Sequence, residues 1–298
     1  MQAKSARTAY LGPEGTFSYF TGLSWLNEPE LVPFADFNAL FRAVEGGDCV
    51  FGLVPLENSL RGSIGQNFDL FMRHNVKILG EAFSRINNCL LSREKSLEDI
   101  RVVYSHAQPL AQCADWLALT LPWARVIPSP STAAAAAQAA KEEASAAIGH
   151  RLLASMTGLN ILAEDIEDEK DNWTRFVLIA PAGAAKMALP AGTIPGDWKT
   201  TFIFTVEDKP GALASVLLAL ERHGVNMRKL ESRPLRGGTT GGGNWKYAFF
   251  SDVECDLTSP EQAEALRDLY AACGSLHILG SYPHGPELDM QAPGVVKE

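Results

Sequence analysis

Asp171-Asn172-Trp173-Thr174-Arg175-Phe176 runs straight into the apolar Val177-Leu178-Ile179-Ala180, and the chain then changes character, because Pro181 to Asp197 is rich in Ala, Gly and Pro without a regular period. A strand followed by such a stretch marks the end of one folded unit and the start of another. Neighbouring side chains on a strand point to alternating faces. Thr174 is therefore expected to face a cleft, Arg175 to meet a carboxylate, either a substrate's or a neighbouring Glu, and Phe176 to anchor in the core.

Upstream, Thr8 to Leu11 reads as a strand that enters Gly12-Pro13-Glu14-Gly15-Thr16-Phe17-Ser18, with a helix from Tyr19. Strand, glycine-rich turn and helix start make an anion-binding geometry, in which Thr16 and Ser18 serve either the anion or the helix as N-caps. The apolar run Val50 to Leu56 is a buried strand ending in Glu57-Asn58-Ser59, polar groups at the strand end where open α/β sheets bind ligands. Further strands are read at Val76–Gly80, Ile86–Leu91, Val102–Tyr104 and Ala144–Ile148, and helices near 66–73, 133–137 and 151–157, the last stopped by Gly158. Ser105 follows one of these strands, and Gln112 lies on the helix after it. His106 and Cys113 are two helical turns apart, beyond hydrogen-bond reach, so Cys113 is structural. The alternation predicts an α/β unit of parallel strands in two lobes.

Beyond the linker, Thr200–Val206 is a strand and Pro210-Gly211 opens a helix whose Leu213, Val216, Leu217 and Leu220 share a face. Strands at 226–235 and 245–254, a helix with Leu266, Leu269, Tyr270 and Cys273, and a last strand at 276–280 complete a ferredoxin-like βαββαβ order. The expected organisation is 1–182, a linker at 183–199, 200–283, and a disordered tail at 284–298.

The 298 residues suffice for roughly two domains of about 150 residues. A net charge of −9 and the lack of a dense Lys/Arg cluster argue against nucleic acid or anionic membrane as partners. Five Cys without a C-x-x-C pair and no long apolar segment suit a reduced, cytoplasmic protein. The six His show no metal-ligand spacing, so no metal is expected.

Four ordered motifs, Tyr10 to Ser18, Pro55 to Ser59, Ser105 to Cys113 and Asn172 to Phe176, resemble the prephenate dehydratase domain, and Pro210-Gly211-Ala212-Leu213 with Glu231-Ser232-Arg233-Pro234 resembles the phenylalanine-site motifs of an ACT regulatory domain. The resemblance implies a bilobal catalytic domain like a type II periplasmic binding protein, with no cofactor, prephenate as substrate, L-phenylalanine as effector, and a homotetramer built as a dimer of dimers. It makes Thr174 the catalytic hydroxyl, with Glu57, Asn58, Ser105 and Gln112 lining the site. A threonine is too weakly acidic to give up its proton unaided, so an acid such as Glu57 is a candidate to relay one. Thr16, Ser59, Arg175 and Phe176 would contact substrate. Gly211, Ala212, Leu213, Glu231, Ser232, Arg233 and Pro234 would hold the effector. The stretch Arg61 to Phe68 is closer to arogenate dehydratases, which act on the amino analogue of prephenate. Intact Thr174, Glu57 and Asn58 weigh against a third reading, a non-catalytic amino-acid sensor.

Overall fold

The computed structural model describes residues 6–183, 197–235 and 246–288. The chain opens with β1 (Arg7–Leu11), α1 (Phe17–Trp25), β2 (Glu30–Phe34), α2 (Phe37–Glu45), β3 (Phe51–Asn58), β4 (Gly62–Ser63), α3 (Gly65–Phe71) and β5 (Val76–Arg85). It crosses into a second lobe of β6 (Cys89–Ser92), β7 (Val102–Ser105), α4 (Ala107–Gln112), α5 (Ala114–Thr120), β8 (Arg125–Pro128), α6 (Thr132–Ala139), β9 (Ser145–Gly149), α7 (Leu152–Thr157) and β10 (Asn160–Ala163). It then returns to the first lobe as β11 (Trp173–Pro181). A third unit follows, with β12 (Trp198–Thr205), α8 (Ala212–Arg222), β13 (Met227–Pro234), β14 (Tyr247–Val253), α9 (Ala263–Ala272) and β15 (Ser275–Pro283), and β16 (Glu287–Leu288) ends the described chain.

The first lobe's sheet has the order β16-β5-β11-β3-β1-β2, with β4 added to β3, and the second lobe's sheet runs β10-β6-β9-β7-β8. Neither is purely parallel, contrary to expectation: β11 is antiparallel to both β3 and β5, and β6 is antiparallel to β9 and β10. The cause is the double crossing, since a chain that leaves a lobe and comes back re-enters its sheet from the far end. The strand expected at Ile86–Leu91 is split, and Ile86–Asn88 forms one of the two crossovers. Ile86 N–H donates to Asn172 O at 2.8 Å and Ile166 N–H to Asn88 O at 3.0 Å, so the two crossovers brace each other beside Thr174.

The third unit keeps the expected βαββαβ plan, with the antiparallel order β13-β14-β12-β15. One sheet face packs on α8 and α9 through Phe202, Phe204, Val216, Leu220 and Leu269. Leu217 and Tyr270 fall outside that face, at 39 % and 53 % exposure, because Ala212 and Ala219 on α8 and Ala265 on α9 take the inner positions. The other sheet face closes onto the first lobe, where Phe250 lies 4.0 Å from Phe68 and shares a core with Phe71, Ile78, Ile203, Leu279 and Tyr282. Contact there is close enough that a Cβ on Gly280 would stand 2.1 Å from Ile78 O. The segment 284–288 is ordered rather than disordered, since β16 pairs in parallel with β5, an edge whose N–H and C=O groups would otherwise be unpaired. The glycine-rich stretch 236–244 between β13 and β14, most of the linker and the rest of the tail lie outside the described residues.

Polar groups are buried in this interdomain core. Arg175 Nε donates to Glu81 at 2.6 Å, Nη1 to Asp252 at 2.5 Å and Nη2 to Tyr282 Oη at 2.9 Å, while Lys199 pairs with Glu81 at 2.6 Å. Two cations and two carboxylates cancel. Burial works against the Asp252 charge, but the Arg175 guanidinium outweighs it and holds the carboxyl below its ordinary range. Burial also lowers the Lys199 ammonium, helped by the nearby Arg175 charge. Removing one partner leaves an uncompensated charge in the core, so Asp252→Ala should cost about 3–5 kcal/mol of stability. Urea unfolding followed by circular dichroism measures this, and an unchanged midpoint would contradict the assignment.

Candidate active site

A cleft of about 460 Å³ lies between the two lobes. Its first-lobe wall carries Thr16, Ser18, Asn58, Arg61, Thr174 and Phe176, and its second-lobe wall His106, Gln108, Gln112, Ser131 and Thr132. A more open hollow of about 1040 Å³ at the edge of the third unit mixes both signs of charge, as in Lys199, Arg228, Glu254 and Asp256, and contains none of the four catalytic-domain motifs.

Strand parity distributes the motif residues. On β11, Thr174, Phe176 and Leu178 face the cleft side and its core, while on the opposite face Arg175 meets the third unit and Val177 and Ile179 join the core that α2 and α3 share with it. β3 lies alongside, with Asn58 opposite Thr174 and Glu57 opposite Arg175. Asn58 is therefore in the cleft with Thr174, and Glu57 is behind it with Arg175. Glu57 Oε1 lies 2.8 Å from Lys229 Nζ and Oε2 lies 3.7 Å from Arg175 Nη1. This corrects Glu57 as a cleft residue and Arg175 as a substrate contact, while the other reading of Arg175, a neighbouring Glu as its partner, is met by Glu81 at 2.6 Å.

Ser105 and Ser59 are corrections too. Ser105 Oγ is buried and donates to Ile148 O at 2.6 Å, tying β7 to β9. Ser59 Oγ donates to Asp171 O at 3.0 Å and accepts from Trp173 N–H at 2.9 Å, which clamps the end of β3 to the entry of β11. Gln112 does line the cleft, its Oε1 accepting from Asn88 Nδ2 at 3.3 Å and its Nε2 buried without a protein partner. Thr16 is both wall and cap, accepting from Tyr19 N–H at 3.4 Å at the head of α1. Cys113 is fully buried, and burial with the nearby Glu167 and Asp168 pushes its thiol up to about 12, as suits a structural residue.

The hydrogen bonds around Asn58 fix the direction of its amide. Oδ1 accepts from the backbone N–H of Leu60 at 3.2 Å and of Arg61 at 3.1 Å, so Nδ2 must be on the other side. There its two hydrogens are shared among three acceptors, Asn172 Oδ1 at 2.6 Å, Trp173 O at 3.1 Å and Thr174 Oγ1 at 3.1 Å. Thr174 Oγ1 is thus an acceptor from the protein, and its own hydrogen is left for the cleft.

Several wall residues escaped sequence reasoning. Ser131 caps α6, accepting from Ala134 N–H at 3.0 Å, and with Thr132 the same turn faces the cleft across from the start of α1. The positive ends of two helix dipoles meet there. Arg61, carried by the β3–β4 turn, is the one Arg or Lys among the described lining residues, and no Asp or Glu accompanies it. The signal for it was a cation two residues beyond Glu57-Asn58-Ser59.

His150 stands behind the wall, stacked on Phe20 at 4.6 Å and edge-on to Phe17 at 5.5 Å. Its Nδ1 accepts from Leu152 N–H at 3.2 Å, which requires a neutral ring.

Two α/β lobes around a polar cleft, with a regulatory βαββαβ unit docked on one of them, define a binding-protein-like enzyme of the ACT-regulated class. The prephenate dehydratase profile matches residues 8–184 and the ACT domain profile residues 200–269. The chain belongs to the prephenate dehydratase family, lyases that dehydrate and decarboxylate prephenate, and carries the ACT regulatory domain. A bifunctional chorismate mutase/prephenate dehydratase of Aquifex aeolicus is 37 % identical over 281 residues, 94 % of this chain and 74 % of that protein. A chloroplastic arogenate dehydratase/prephenate dehydratase of Arabidopsis thaliana is 38 % identical over 288 residues, 93 % of this chain and 72 % of that one. The structure of an Arthrobacter aurescens prephenate dehydratase in complex with L-Phe gives a TM-score of 0.79 at 32 % identity, covering 98 % of this chain and 93 % of that one. A structure described as a novel type of quorum-quenching acylase gives 0.81 at 29 % identity, covering 94 % and 98 %.

Burial and the Arg151 charge push the His150 imidazole from 6.5 down to about 3. The unfolded chain then takes up a proton that the folded one refuses, so this group's stability is full above about pH 6.5 and falls as the pH drops toward about 3. Between pH 7 and 5 the loss should reach about 2 kcal/mol. Comparing denaturation midpoints of the parent and His150→Phe across that range should show the slope in the parent alone.

Proposed function

We propose that the interlobe cleft converts prephenate to phenylpyruvate with Thr174 as the hydrogen-bond donor to the departing hydroxyl. The observation that carries this reading is the fixed direction of the Asn58 amide, which makes Thr174 Oγ1 an acceptor and turns its hydrogen toward the cleft. The reaction needs one proton: the ring carboxylate leaves as CO2, its electron pair aromatises the ring, and the hydroxyl departs as water. A threonine hydroxyl is too weakly acidic to supply that proton outright, but a preorganised donor stabilises the charge growing on the leaving oxygen. Prephenate carries two carboxylates, and Arg61 with the heads of α1 and α6 offers them positive ends from both lobes. Phe176 and Phe17 give the ring an apolar wall, and Gln112 Nε2 is a further donor.

Two features favour arogenate as a second substrate to compare: the Arg61 to Phe68 stretch and the Arabidopsis relative named for both activities. In the ACT domain, Gly211 takes φ +81° immediately before α8, and Glu231 to Pro234 lie on the edge strand β13. We read these as the L-phenylalanine site, completed where two ACT domains meet, in a cytoplasmic homotetramer arranged as a dimer of dimers. The L-Phe complex of the Arthrobacter enzyme supports L-phenylalanine as the ligand.

Phenylpyruvate formation from prephenate tests the assignment. Thr174→Ala should lower kcat by about 100-fold or more while Thr174→Ser retains much of it. A fully active alanine variant would overturn the role. Arg61→Ala should instead raise KM by about tenfold with little change in kcat, the pattern of lost uniform binding.

A further inference from the structure

From the contacts behind the cleft we infer that Lys229, a residue of the ACT domain, is a positioning residue for the dehydratase site. Its contacts reach across the domain boundary. Nζ donates to Ser63 Oγ at 2.7 Å and lies 2.8 Å from Glu57 Oε1, over the Phe68 ring at 5.4 Å. Glu57 and Ser63 are directly paired residues of β3 and β4, so one ammonium grips both strands of the same small hairpin from behind. The front of that hairpin is the active site. Asn58, one residue from Glu57, holds Thr174, while Arg61 at its tip and Gly62 and Ser63 line the cleft. A shift of the hairpin alters the distance from Asn58 to Thr174 and the position of Arg61 together.

Lys229 is also placed to transmit a signal, an argument that rests on the effector site proposed above. It sits on β13, two residues before Glu231, and on the same strand face as Glu231 and Arg233, the inward positions of a strand whose exposure alternates. Arg233 reaches the same region of the first lobe, its guanidinium over Phe68 at 6.0 Å, and a Cβ on Gly65 would lie 2.1 Å from its Nη2. Ligand contacts at Glu231 and Arg233 therefore bear on the strand that holds the hairpin. Glu57, unsuited by direction to be a proton donor, acquires a role as the handle by which β13 grips the site.

A double-mutant cycle on the full chain tests the proposal. Lys229→Met and Glu57→Gln should each lower kcat/KM by about tenfold, and the double variant should be no worse than either single one, because the two act through one contact. Lys229→Arg should recover a large part of the loss. Phenylalanine should still bind Lys229→Met by calorimetry but inhibit it far less than the parent. A Lys229→Met enzyme with parental kcat/KM, or strictly additive losses in the cycle, would overturn the positioning role. Parental inhibition of Lys229→Met would overturn the relay. If the parent itself binds no phenylalanine, the effector reading fails, and the kinetic cycle still decides the role of Lys229. Should Lys229→Met fail to fold, Ser63→Ala with Glu57→Gln addresses the same contact from the catalytic side, with the same tenfold loss expected and unchanged kcat/KM overturning it.

Discussion

A guanidinium without water around it must be surrounded by partners, and Arg175 finds them on both sides of a domain boundary. Glu81 comes from the catalytic lobe and Asp252 and Tyr282 from the ACT domain, so the charge is satisfied only while the two are docked. Lys199, its Nζ over the Phe83 ring at 5.5 Å, completes a cluster of zero net charge. Hydrophobic burial supplies most of the attraction, being non-directional. The hydrogen bonds of Arg175 select one orientation among those that burial alone would permit.

This orientation matters for chemistry because a strand has two faces. β11 carries the cleft-facing Thr174 hydroxyl on one side and the interdomain arginine on the other, and β3 divides Asn58 from Glu57 in the same way. What the ACT domain holds is the reverse of the surface that the substrate meets. The distance between regulation and catalysis is thus the thickness of one strand, with no intervening helix or loop to absorb a displacement.

Much of this was legible in the residues. The apolar run before Glu57-Asn58, the linker after Ala180 and the helix periodicity of the last hundred residues place the domains and bring Thr174, Asn58 and Gln112 to one cleft. The failures have specific causes. Glu57 fell one residue out of step with the face that matters, because the parity of β3 cannot be assigned until it is known which of its faces is covered. Ser105 is satisfied by the carbonyl of Ile148, a partner 43 residues away that local pattern does not reveal. The strands β2, β8 and β10 are short or lie at sheet edges and lack a clear alternation. The docking surface of the ACT domain depends on non-local fit, as between Gly280 and Ile78, and no motif announces it.

The strand β16 gives the architecture a topological consequence. After completing the ACT sheet, the chain goes back and hydrogen-bonds to β5, so the first lobe's sheet is built from both ends of the polypeptide with the regulatory domain enclosed between them. The ACT domain is in effect an insertion rather than an appendage. A single cut in the linker would separate the domains on paper while stripping an edge strand from the catalytic sheet, so removing the ACT fold and leaving that sheet whole takes two junctions, one on either side of it.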